Sequence, residues 1–350
     1  MIGGIMGYGA YIPRYRISVE KLAQALDDNA TQIINSLAIA EKSVPGKDED
    51  SLTMVVAAAK NALKRATLPA PSLQAVYVGS ESHPYAVKPS ATILGEALGI
   101  GTNYMAADFE FACKGGTAAL QAALGVVKAG MASYALAAGS DTAQAKPTDI
   151  LEYAAAAGSA AFIVSNNLDE ACAIVERTLS YSSDTPDFWR RSSAAYPEHG
   201  GRFTAQPAYF AHVVAATQQL LTAHNLKPTD IDHVIFHQPN GKFPVMAARQ
   251  LGFSRAQLAN GLLVEKMGNS YSANSLLGLT AVLDNALPNQ TILLVSYGSG
   301  SGCDAFVIKT TEKILSVQNK ARRTQEYLAE KKYISYATYL HHLTCLYGAL

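Results

Sequence analysis

Apolar and polar residues follow one another along the chain in blocks that predict helices and strands in turn. Residues 117–128 carry apolar side chains at helical spacing and consist mostly of strong helix formers. Short apolar runs at 76–78 and 234–236 have the length of strands, and each follows a helical segment after a brief polar connector. This alternation favours an α/β fold in which helices cover mostly parallel sheets.

The pattern of the first half returns in the second half at a fixed distance. Leu63 and Leu221 hold matching positions in two predicted helices and lie 158 residues apart (221 − 63). Val76 and Val234 begin the strands that follow those helices, and they show the same separation (234 − 76). A constant offset through about 75 residues of pattern indicates an internal duplication.

The duplication predicts two βαβ halves that pack about a pseudo-twofold axis. We place the first half at residues 1–165 and the second at 166–350. Residues 311–350 fall outside the repeat, and their aromatic end is expected to pack on the body of the protein or on another chain. Equivalent strand ends of the two halves should then meet near the axis.

Composition excludes several classes of function. The 350 residues are 49% hydrophobic and 16% charged, which predicts a globular protein with a large buried core. Their formal net charge is zero, so we expect no electrostatic attraction for nucleic acid. No apolar run is long enough for a membrane span. The four cysteines are widely spaced and lack metal-ligand spacing, so we expect reduced thiols and no metal. The arginines near the N-terminus follow the apolar stretch, the reverse of a signal peptide, which favours a cytoplasmic location.

Cys113 stands where a predicted strand passes into a predicted helix. A helix N-terminus presents unpaired N–H groups and a positive dipole end, which favour thiolate over thiol. Gly115 and Gly116 keep side chains away, so a substrate can approach the backbone. The ordinary alternative is a small apolar residue at the end of a strand. The glycines and the change from strand to helix favour a nucleophile.

The predicted symmetry brings three more polar residues towards Cys113. Glu81 follows the strand at 76–78, His237 follows its counterpart, and Asn269 lies near the counterpart of Cys113. Each residue has an ordinary alternative: a solvated loop carboxylate, a histidine at the edge of the core, and a turn residue. Because one repeat places all of them at converging strand ends, we expect a shared pocket.

These residue types suit chemistry on an acyl-thioester. A cysteine accepts the acyl group, and a carboxylate such as Glu81 can remove a proton next to the acyl carbonyl. His237 can polarise a second carbonyl through a ring N–H, with its tautomer fixed by a neighbour. Backbone N–H groups of Cys113 and of the turn at Gly298 are expected to form an oxyanion hole, typically worth ~3 kcal/mol per donor.

Several segments carry a resemblance to a known family. They span most of the chain and include GSESHPYAVKPSAT from Gly79, FEFACKGGTAALQ from Phe109, HQPNGKFP from His237 and GNSYSANS from Gly268. Together they resemble the archaeal-type hydroxymethylglutaryl-CoA synthases of the thiolase superfamily. The cysteine segment alone is shared with many thiolase-fold enzymes, whereas the first and third segments are far more specific. The resemblance implies a thiolase-like fold of two duplicated halves in five αβαβα layers.

The resemblance also implies the roles of the candidate residues. Cys113 would carry an acetyl group, Glu81 would be the general base, and His237 would act on the acetoacetyl group. Such an acyltransferase would condense acetyl-CoA with acetoacetyl-CoA and release 3-hydroxy-3-methylglutaryl-CoA for mevalonate and isoprenoid synthesis, with no cofactor beyond the coenzyme A thioesters. The positions expected to contact substrate or coenzyme A are Ala30, Ala154, Arg202, Thr204, Lys242, Asn269 and Ser299.

Two positions depart from the family pattern, and the resemblance also implies how the chain assembles. Ala154 stands where a threonine is expected, and Met246 stands where relatives often carry a basic residue. The family resemblance implies a homodimer or a dimer of dimers. It also implies a complex with an acetoacetyl-CoA thiolase and a scaffold protein that combines a zinc ribbon with an OB-fold.

Three other functions stay open from the sequence. A decarboxylating enzyme like ketoacyl-ACP synthase III would use Cys113, His237 and Asn269, although that chemistry has no need for Glu81. A β-branching synthase that acts on carrier-bound ketides would use the same core as the family named above. A chain that serves mainly as an assembly subunit would need none of these residues.

Overall fold

Within residues 1–348, which the computed structural model describes, the chain forms fourteen strands and thirteen α-helices. The strands are β1 (Gly3–Tyr11), β2 (Tyr15–Ser18), β3 (Glu41–Val44), β4 (Ala75–Gly79), β5 (Met105–Phe109), β6 (Tyr134–Thr142), β7 (Ala157–Ser165), β8 (Ala173–Ser182), β9 (Phe188–Trp189), β10 (Glu198–His199), β11 (His233–Phe236), β12 (Thr291–Gly298), β13 (Gly302–Thr310) and β14 (Lys332–Tyr333). The helices are α1 (Val19–Leu26), α2 (Ala30–Leu37), α3 (Ser51–Ala66), α4 (Ser90–Leu98), α5 (Gly115–Lys128), α6 (Ala211–Ala223), α7 (Phe243–Gln250), α8 (Arg255–Leu258), α9 (Val264–Met267), α10 (Asn274–Leu283), α11 (Ile314–Val317), α12 (Thr324–Ala329) and α13 (Tyr336–Tyr347).

Nine strands form one sheet in the order β11-β12-β13-β8-β1-β7-β6-β4-β5. β4 pairs in parallel with β5 and β6, and β11 with β12. The other five neighbouring pairs are antiparallel, so the expectation of mostly parallel sheets is wrong. The physical reason is clearest for β12 and β13. The connection between Gly298, which ends β12, and Gly302, which begins β13, is far too short for the crossover that parallel strands need.

Hydrophobic clusters place the helices in layers. α3 and α4 pack on one face of β1, β4, β6 and β7. α6 and α7 pack on one face of β11, β12 and β13. Between the two parts of the sheet, α5 and α10 share one cluster with residues of β1, β7, β8, β12 and β13. The layer order is therefore αβαβα, which confirms the expected thiolase-like architecture.

The central helix α10 is buried on every side. Its sequence, NSLLGLTAVL, lacks a charged face, as expected for a helix between two sheets. Its N-terminal end is packed tightly against the first half, because a Cβ on Gly116 or Gly139 would lie 2.6 or 2.4 Å from the carbonyl oxygen of Ser272. This close approach brings the starts of α5 and α10 together at the centre of the molecule.

The inner elements repeat at the offset read from the sequence. β4 begins at residue 75 and β11 at residue 233, which is 158 residues later (233 − 75). α3, α5 and β6 have their counterparts in α6, α10 and β12. The segment that corresponds to β5 forms α9 instead of a strand. The boundary between the halves after residue 165 stays a prediction.

The C-terminal segment packs on the body of the chain. Tyr339 and Leu343 of α13 join a cluster with α1, α2 and β3, and β14 adds to β2 in a small sheet of three strands. The last two residues of the tail, 349 and 350, lie outside the described part of the chain. None of the helices within residues 1–348 has the length and apolar character needed to span a bilayer.

Candidate active site

Cys113 lies in a tight turn between β5 and α5. Ala112 precedes it with a φ of 44°, a left-handed conformation that costs a residue with a side chain of the order of 1 kcal/mol. The N–H groups of Lys114 and Gly115 donate to the carbonyls of Phe111 and Ala112 at 3.2 and 3.0 Å. The turn therefore holds Cys113 in a fixed position directly before the first turn of α5.

The thiol of Cys113 keeps its proton in this arrangement. Burial raises its pKa well above the usual range, the charge of Glu81 raises it further, and a hydrogen bond from the backbone N–H of Ser299 has a smaller opposite effect. The expectation of a thiolate stabilised by the helix end is therefore wrong for this state, because desolvation outweighs the helix. Acylation needs a group that accepts the thiol proton.

Glu81 is placed to be that acceptor. It follows β4, and its carboxyl group lies next to the thiol of Cys113, close enough for each group to shift the pKa of the other. Burial raises the pKa of Glu81 to about 8, and the charge of Asp141 contributes to the increase, whereas Cys113 and Arg190 act in the opposite direction. A carboxyl group whose pKa lies near the working pH can both take up and return a proton.

Asp141 anchors the segment that carries Glu81. Its Oδ1 accepts hydrogen bonds from the N–H groups of Glu81 and Ser82 at 2.8 and 3.0 Å. The hydroxyl groups of Ser80 and Ser82 donate to the same oxygen at 2.8 and 2.6 Å. Its Oδ2 accepts from the N–H of Ser272, at the start of α10, at 2.8 Å. One buried carboxylate thus connects the Glu81 loop to the central helix.

His237 follows β11 and is almost completely buried. Burial lowers the pKa of His237 to about 3, so the imidazole is neutral at physiological pH. The hydroxyl of Tyr209 donates to the backbone carbonyl of His237 at 2.6 Å and holds this part of the chain in place. Nδ1 has no hydrogen-bond partner within the described residues, so the expected neighbour that fixes the tautomer is not found.

Asn269 belongs to a turn that joins the two halves. Its N–H donates to the carbonyl of Ala154 at 2.7 Å, and its carbonyl accepts from the N–H of Ala156 at 2.9 Å. Its side-chain oxygen accepts from the N–H of Tyr271 at 2.9 Å. The carbonyl end of the Asn269 side chain therefore supports a turn, as the ordinary interpretation of this residue expects.

A cavity of about 240 Å³, which we call the thiol cavity, joins these residues. Cys113, His237 and Asn269 line it together, although they come from both halves of the chain. Aromatic and aliphatic side chains form much of the remaining wall. The other expected residues on the wall are Ala154, Thr204 and Ser299, and the aromatic ones are Phe188, Tyr209, Phe243, Tyr271 and Tyr297.

Three other expected residues do not line the thiol cavity. Ala30 begins α2 and packs in a hydrophobic cluster, and the last residue of that helix, Leu37, reaches the cavity instead. Arg202 and Lys242 are exposed to solvent. Both lie next to residues of the wall, so they stand at its outer edge rather than inside it.

Glu81 lines a neighbouring cavity of about 640 Å³, which we call the carboxyl cavity. Phe188 and Tyr271 line both cavities, and their ring centroids are 6.0 Å apart. The Glu81 carboxyl group and the Cys113 thiol therefore lie on the walls of two neighbouring spaces.

Comparison with known proteins identifies the family. The chain is 53% identical to the hydroxymethylglutaryl-CoA synthase of Archaeoglobus fulgidus over 341 residues, which cover 97% of this chain and 98% of that protein. It is 52% identical to the hydroxymethylglutaryl-CoA synthase of Methanopyrus kandleri over 336 residues, which cover 96% and 95% of the two chains. The chain belongs to the hydroxymethylglutaryl-CoA synthase family.

Several solved structures share the fold of this chain. The chain superposes with a TM-score of 0.88 on MvaS in complex with 3-hydroxy-3-methylglutaryl coenzyme A, at 23% identity over 97% of this chain and 91% of that one. The synthase III of Aquifex aeolicus VF5, which acts on acyl-carrier-protein substrates according to its name, gives a TM-score of 0.79 at 21% identity, over 88% and 99% of the two chains. Residues 221–310 match the family profile of the C-terminal part of 3-oxoacyl-[acyl-carrier-protein] synthase III.

In this member of the synthase family, the turn after β12 supplies a donor to the cysteine. The backbone N–H of Ser299, in this turn, lowers the pKa of Cys113, and the predicted part of Gly298 in an oxyanion hole stays a prediction. Gly298 permits close packing, because a Cβ there would lie 2.7 Å from the carbonyl oxygen of Phe111. Asp187 orders this turn by accepting hydrogen bonds from the N–H of Gly300 and the hydroxyl of Tyr297, both at 2.7 Å.

Sequence reasoning did not single out Asp141, Asp187 or Tyr209 as site residues. Their signals were weak, since Asp141 lies near the end of an apolar strand segment and Asp187 in the segment TPDFWRR. Each acts on a residue remote in sequence, so only the folded chain reveals the contact. Among the described residues, no group of three or more His, Cys, Asp or Glu side chains is arranged to hold a metal ion.

Proposed function

We propose that this chain condenses acetyl-CoA with acetoacetyl-CoA and releases 3-hydroxy-3-methylglutaryl-CoA and coenzyme A. The observation that carries the proposal is the buried Glu81 carboxyl group next to the Cys113 thiol, beside a cavity that also contains His237. An acid–base group next to an acylated thiol is what enolate formation requires. The 53% identity to a hydroxymethylglutaryl-CoA synthase supports the same reaction.

The first step is acetyl transfer to the cysteine. Sγ of Cys113 attacks the carbonyl carbon of acetyl-CoA, and the thiol proton passes to the Glu81 carboxylate. The tetrahedral intermediate collapses, the bond to the coenzyme A sulfur breaks, and that sulfur takes the proton from Glu81. Donors from the backbone of Cys113 and Ser299 would stabilise the oxyanion, each by about 3 kcal/mol.

The second step forms the new carbon–carbon bond. The Glu81 carboxylate removes a proton from the methyl group of acetyl-Cys113, and the resulting enolate adds to the ketone carbon of acetoacetyl-CoA. His237, which is neutral because burial lowers its pKa to about 3, polarises the ketone through a ring N–H instead of acting as a cationic acid. The alkoxide takes the proton back from Glu81, which leaves Glu81 ionised.

The third step is hydrolysis of the thioester to Cys113. Water adds to the thioester carbonyl while Glu81 takes one of its protons. The carbon–sulfur bond breaks, and Sγ takes that proton from Glu81, which restores the thiol and the carboxylate. The product leaves with a free carboxyl group at one end and its coenzyme A thioester at the other.

Arg202 and Lys242 are proposed to bind the phosphates of coenzyme A. Both cations are exposed beside the wall of the thiol cavity. If the pantetheine arm of coenzyme A lies inside the cavity, the phosphates of coenzyme A lie outside it, near these two side chains. Met246 is exposed one turn after Lys242 on α7, where a basic residue would have added a further positive charge. Ala154 supplies a small apolar wall where a threonine would have offered a hydroxyl group.

Replacement of Glu81 tests the assignment. Glu81→Gln should leave Cys113 open to slow but complete labelling by radioactive acetyl-CoA, while condensation with acetoacetyl-CoA falls by about 10²–10⁴-fold. Glu110→Gln is the matched control, because Glu110 is an exposed carboxylate three residues before Cys113. Product is identified by mass. Full turnover by Glu81→Gln would disprove the role of Glu81, and failure of the parent chain to take up acetyl would disprove the function.

A decarboxylating condensing enzyme is the second candidate, and the match of residues 221–310 to a synthase III profile favours it. That chemistry obtains its carbanion by loss of carbon dioxide and does not require a carboxyl group next to the thiol. Incubation of the acetylated chain with malonyl-CoA and malonyl carrier protein decides between the two. Release of carbon dioxide coupled to condensation would favour the second candidate.

The natural acceptor is proposed to be a coenzyme A thioester. A synthase from the curacin pathway, solved in complex with a donor carrier protein, shares the fold at 21% identity with a TM-score of 0.85. A β-branching role would require carrier-bound acetoacetate to be the better acceptor. We expect a higher kcat/KM for acetoacetyl-CoA than for the acetoacetyl carrier protein.

The predicted assembly follows from the family resemblance, whereas the predicted location follows from the cysteines and the N-terminal sequence. A homodimer or a dimer of dimers, a complex with an acetoacetyl-CoA thiolase and a scaffold protein, and a cytoplasmic location all stay predictions. Independence from metals and cofactors other than coenzyme A thioesters is also a prediction. Light scattering of the purified chain at micromolar concentration tests the predicted oligomeric state. Turnover that survives a chelator would agree with independence from metals.

A further inference from the structure

His199 and Asp149 join two distant parts of the chain at the wall of the thiol cavity. Nε2 of His199 lies 3.3 Å from Oδ2 of Asp149, although the two residues are 50 positions apart in the sequence. Their side chains are only 21% and 28% exposed, so the contact is largely shielded from water. His199 lines the thiol cavity, yet no step of the reaction proposed above uses either residue.

Asp149 holds one part of the cavity wall. Its Oδ1 accepts the N–H of Leu151 at 2.8 Å and so caps the short 3₁₀ helix Ile150–Tyr153. Leu151 in this helix and Ala154 directly after it line the thiol cavity. Asp149 therefore uses one carboxylate oxygen to order this part of the wall and the other to contact His199.

His199 holds a second part of the same wall. Its Nδ1 accepts the N–H of Gly201 at 3.2 Å, and the hydroxyl of Thr204 donates to the carbonyl of Gly201 at 2.8 Å. Gly201 and Thr204 line the cavity, and the exposed Arg202 lies between them in the sequence. The ring of His199 therefore orders the start of the turn that carries Arg202.

The two contacts of His199 define its tautomer. Nδ1 accepts the N–H of Gly201 and so has a lone pair, which places the proton of the neutral ring on Nε2. The Nε2–H group then donates to the carboxylate of Asp149, a hydrogen bond that the negative charge strengthens. A single ring thus connects the turn at Gly201 to Asp149.

We propose that His199, through its hydrogen bond to Asp149, is a positioning residue for the coenzyme A thioester. The bond holds the turn of Gly201 and Thr204 in place and so keeps Arg202 beside the phosphates of bound coenzyme A. This inference rests on the function proposed above. The pair transfers no proton and no acyl group, so it affects binding of the thioester and not the rate of the chemistry.

Two replacements of His199 separate its two hydrogen bonds. His199→Asn keeps an oxygen that can accept the N–H of Gly201, as in an Asx turn, but its side chain is too short to reach Asp149. His199→Gln has an amide N–H near the position of Nε2 that can donate to Asp149. The Kd of coenzyme A, measured by titration calorimetry, and the KM for acetyl-CoA should both increase about fivefold in His199→Asn. Both should stay near the parent values in His199→Gln, with kcat unchanged in the two variants.

A shorter thioester distinguishes positioning of Arg202 from a general loosening of the cavity. S-acetyl-N-acetylcysteamine carries the acetyl group but lacks the phosphates of coenzyme A, so its kcat/KM should be the same in His199→Asn and in the parent chain. His224→Asn is the matched control, because His224 is an exposed histidine that contacts Arg177, and it should change none of these constants. Equal losses for both thioesters in His199→Asn would overturn the proposal, as would an unchanged Kd.

Replacement of Asp149 tests the other partner. Asp149→Asn has one acceptor oxygen in place of two, so it cannot accept from Leu151 and His199 as the carboxylate does. A reversed bond, in which the amide donates to Nε2, would move the ring proton to Nδ1, against the N–H of Gly201. We expect the Kd of coenzyme A to increase about as much as in His199→Asn, and no further in the double variant. Additive increases would contradict a shared role.

The outcomes also separate this inference from the function on which it rests. If the parent chain neither binds coenzyme A nor becomes acetylated at Cys113, the proposed function fails. If the parent chain turns over, but His199→Asn behaves like His224→Asn, the function stands and only the role of His199 fails.

Discussion

The backbone N–H of Glu81 donates to Oδ1 of Asp141 at 2.8 Å, so a carboxylate at the end of β6 holds the loop that carries a second acidic residue. The charge of Asp141 contributes to the increase that burial produces in the pKa of Glu81. The same carboxylate that positions the proposed base therefore also makes it a stronger base. Because the ionised form accepts the thiol proton, acetylation of Cys113 should increase with pH and level off above about 8.

Removal of the Asp141 charge should move that pH profile. In Asp141→Asn the pKa of Glu81 falls, because a source of repulsion is lost, and the midpoint of the profile shifts to lower pH. The maximal rate should also fall by about tenfold as the loop loses hydrogen bonds. Initial rates of acetyl-Cys113 formation between pH 6 and pH 9 measure both effects. Ser80→Ala removes one hydrogen bond to Asp141 and keeps its charge, so a midpoint that shifts equally in both variants would contradict the electrostatic explanation.

Asp187 should control acetylation through Ser299. Asp187→Asn removes the negative charge and one of the two acceptor oxygens, so the hydrogen bond with the Tyr297 hydroxyl must reverse and the turn that carries Ser299 loosens. We expect kcat for acetylation to fall by about 10²-fold, with little change in KM, as for loss of one oxyanion donor. Asp184→Asn, an exposed neighbour in the same loop, is the control. An increase in KM at constant kcat would instead indicate a role in binding.

Burial of His237 should make the fold sensitive to acid. Its pKa is about 3 in the folded chain and about 6.5 when unfolded, so the unfolded state binds more protons in that window. The contribution of His237 to stability is therefore complete above pH 6.5 and is lost as the pH falls towards 3, by up to about 1.4 kcal/mol per pH unit. The free energy of unfolding, measured with urea, should fall less on acidification in His237→Asn than in the parent chain. Parallel curves for the two proteins would contradict this.

Arg65 and Asp284 should contribute to stability as a pair. Their side chains form an ion pair at 2.9 Å and are each 1% exposed. Arg65→Met leaves the Asp284 carboxylate without its partner and should lower the free energy of unfolding by about 3–5 kcal/mol. The double variant Arg65→Met/Asp284→Asn should lose less than Arg65→Met alone. Lys60→Met, on the exposed side of the same helix, should change stability by no more than about 0.5 kcal/mol.

Much of the fold was predictable because it rests on local patterns. The helices and strands around residues 63–78 and 221–236 were recognised from apolar spacing, and a constant offset related the two halves. Strand direction was predicted wrongly, because β7 and β13 carry apolar residues like parallel strands and only their connections set the direction. The segment equivalent to β5 is likewise too short for its pattern to distinguish strand from α9.

Part of the candidate site was also within reach of the sequence. Cys113 was recognised by its flanking glycines and Glu81 by its place after β4, and both lie where expected. Ala30, by contrast, packs in a hydrophobic cluster. Its place depends on how segments distant in sequence pack together, which no spacing rule predicts.

The sequence by itself determined the identity of the reacting groups and the duplicated framework, since side-chain chemistry and apolar periodicity are properties of the chain. Tertiary structure alone decided their protonation. Cys113, Glu81 and His237 are each removed from water by residues distant in sequence, and this desolvation favours the neutral form of each. It also decided that the Cys113 thiol and the Glu81 carboxyl group line separate cavities, because Phe188 and Tyr271 meet between them only in the folded chain.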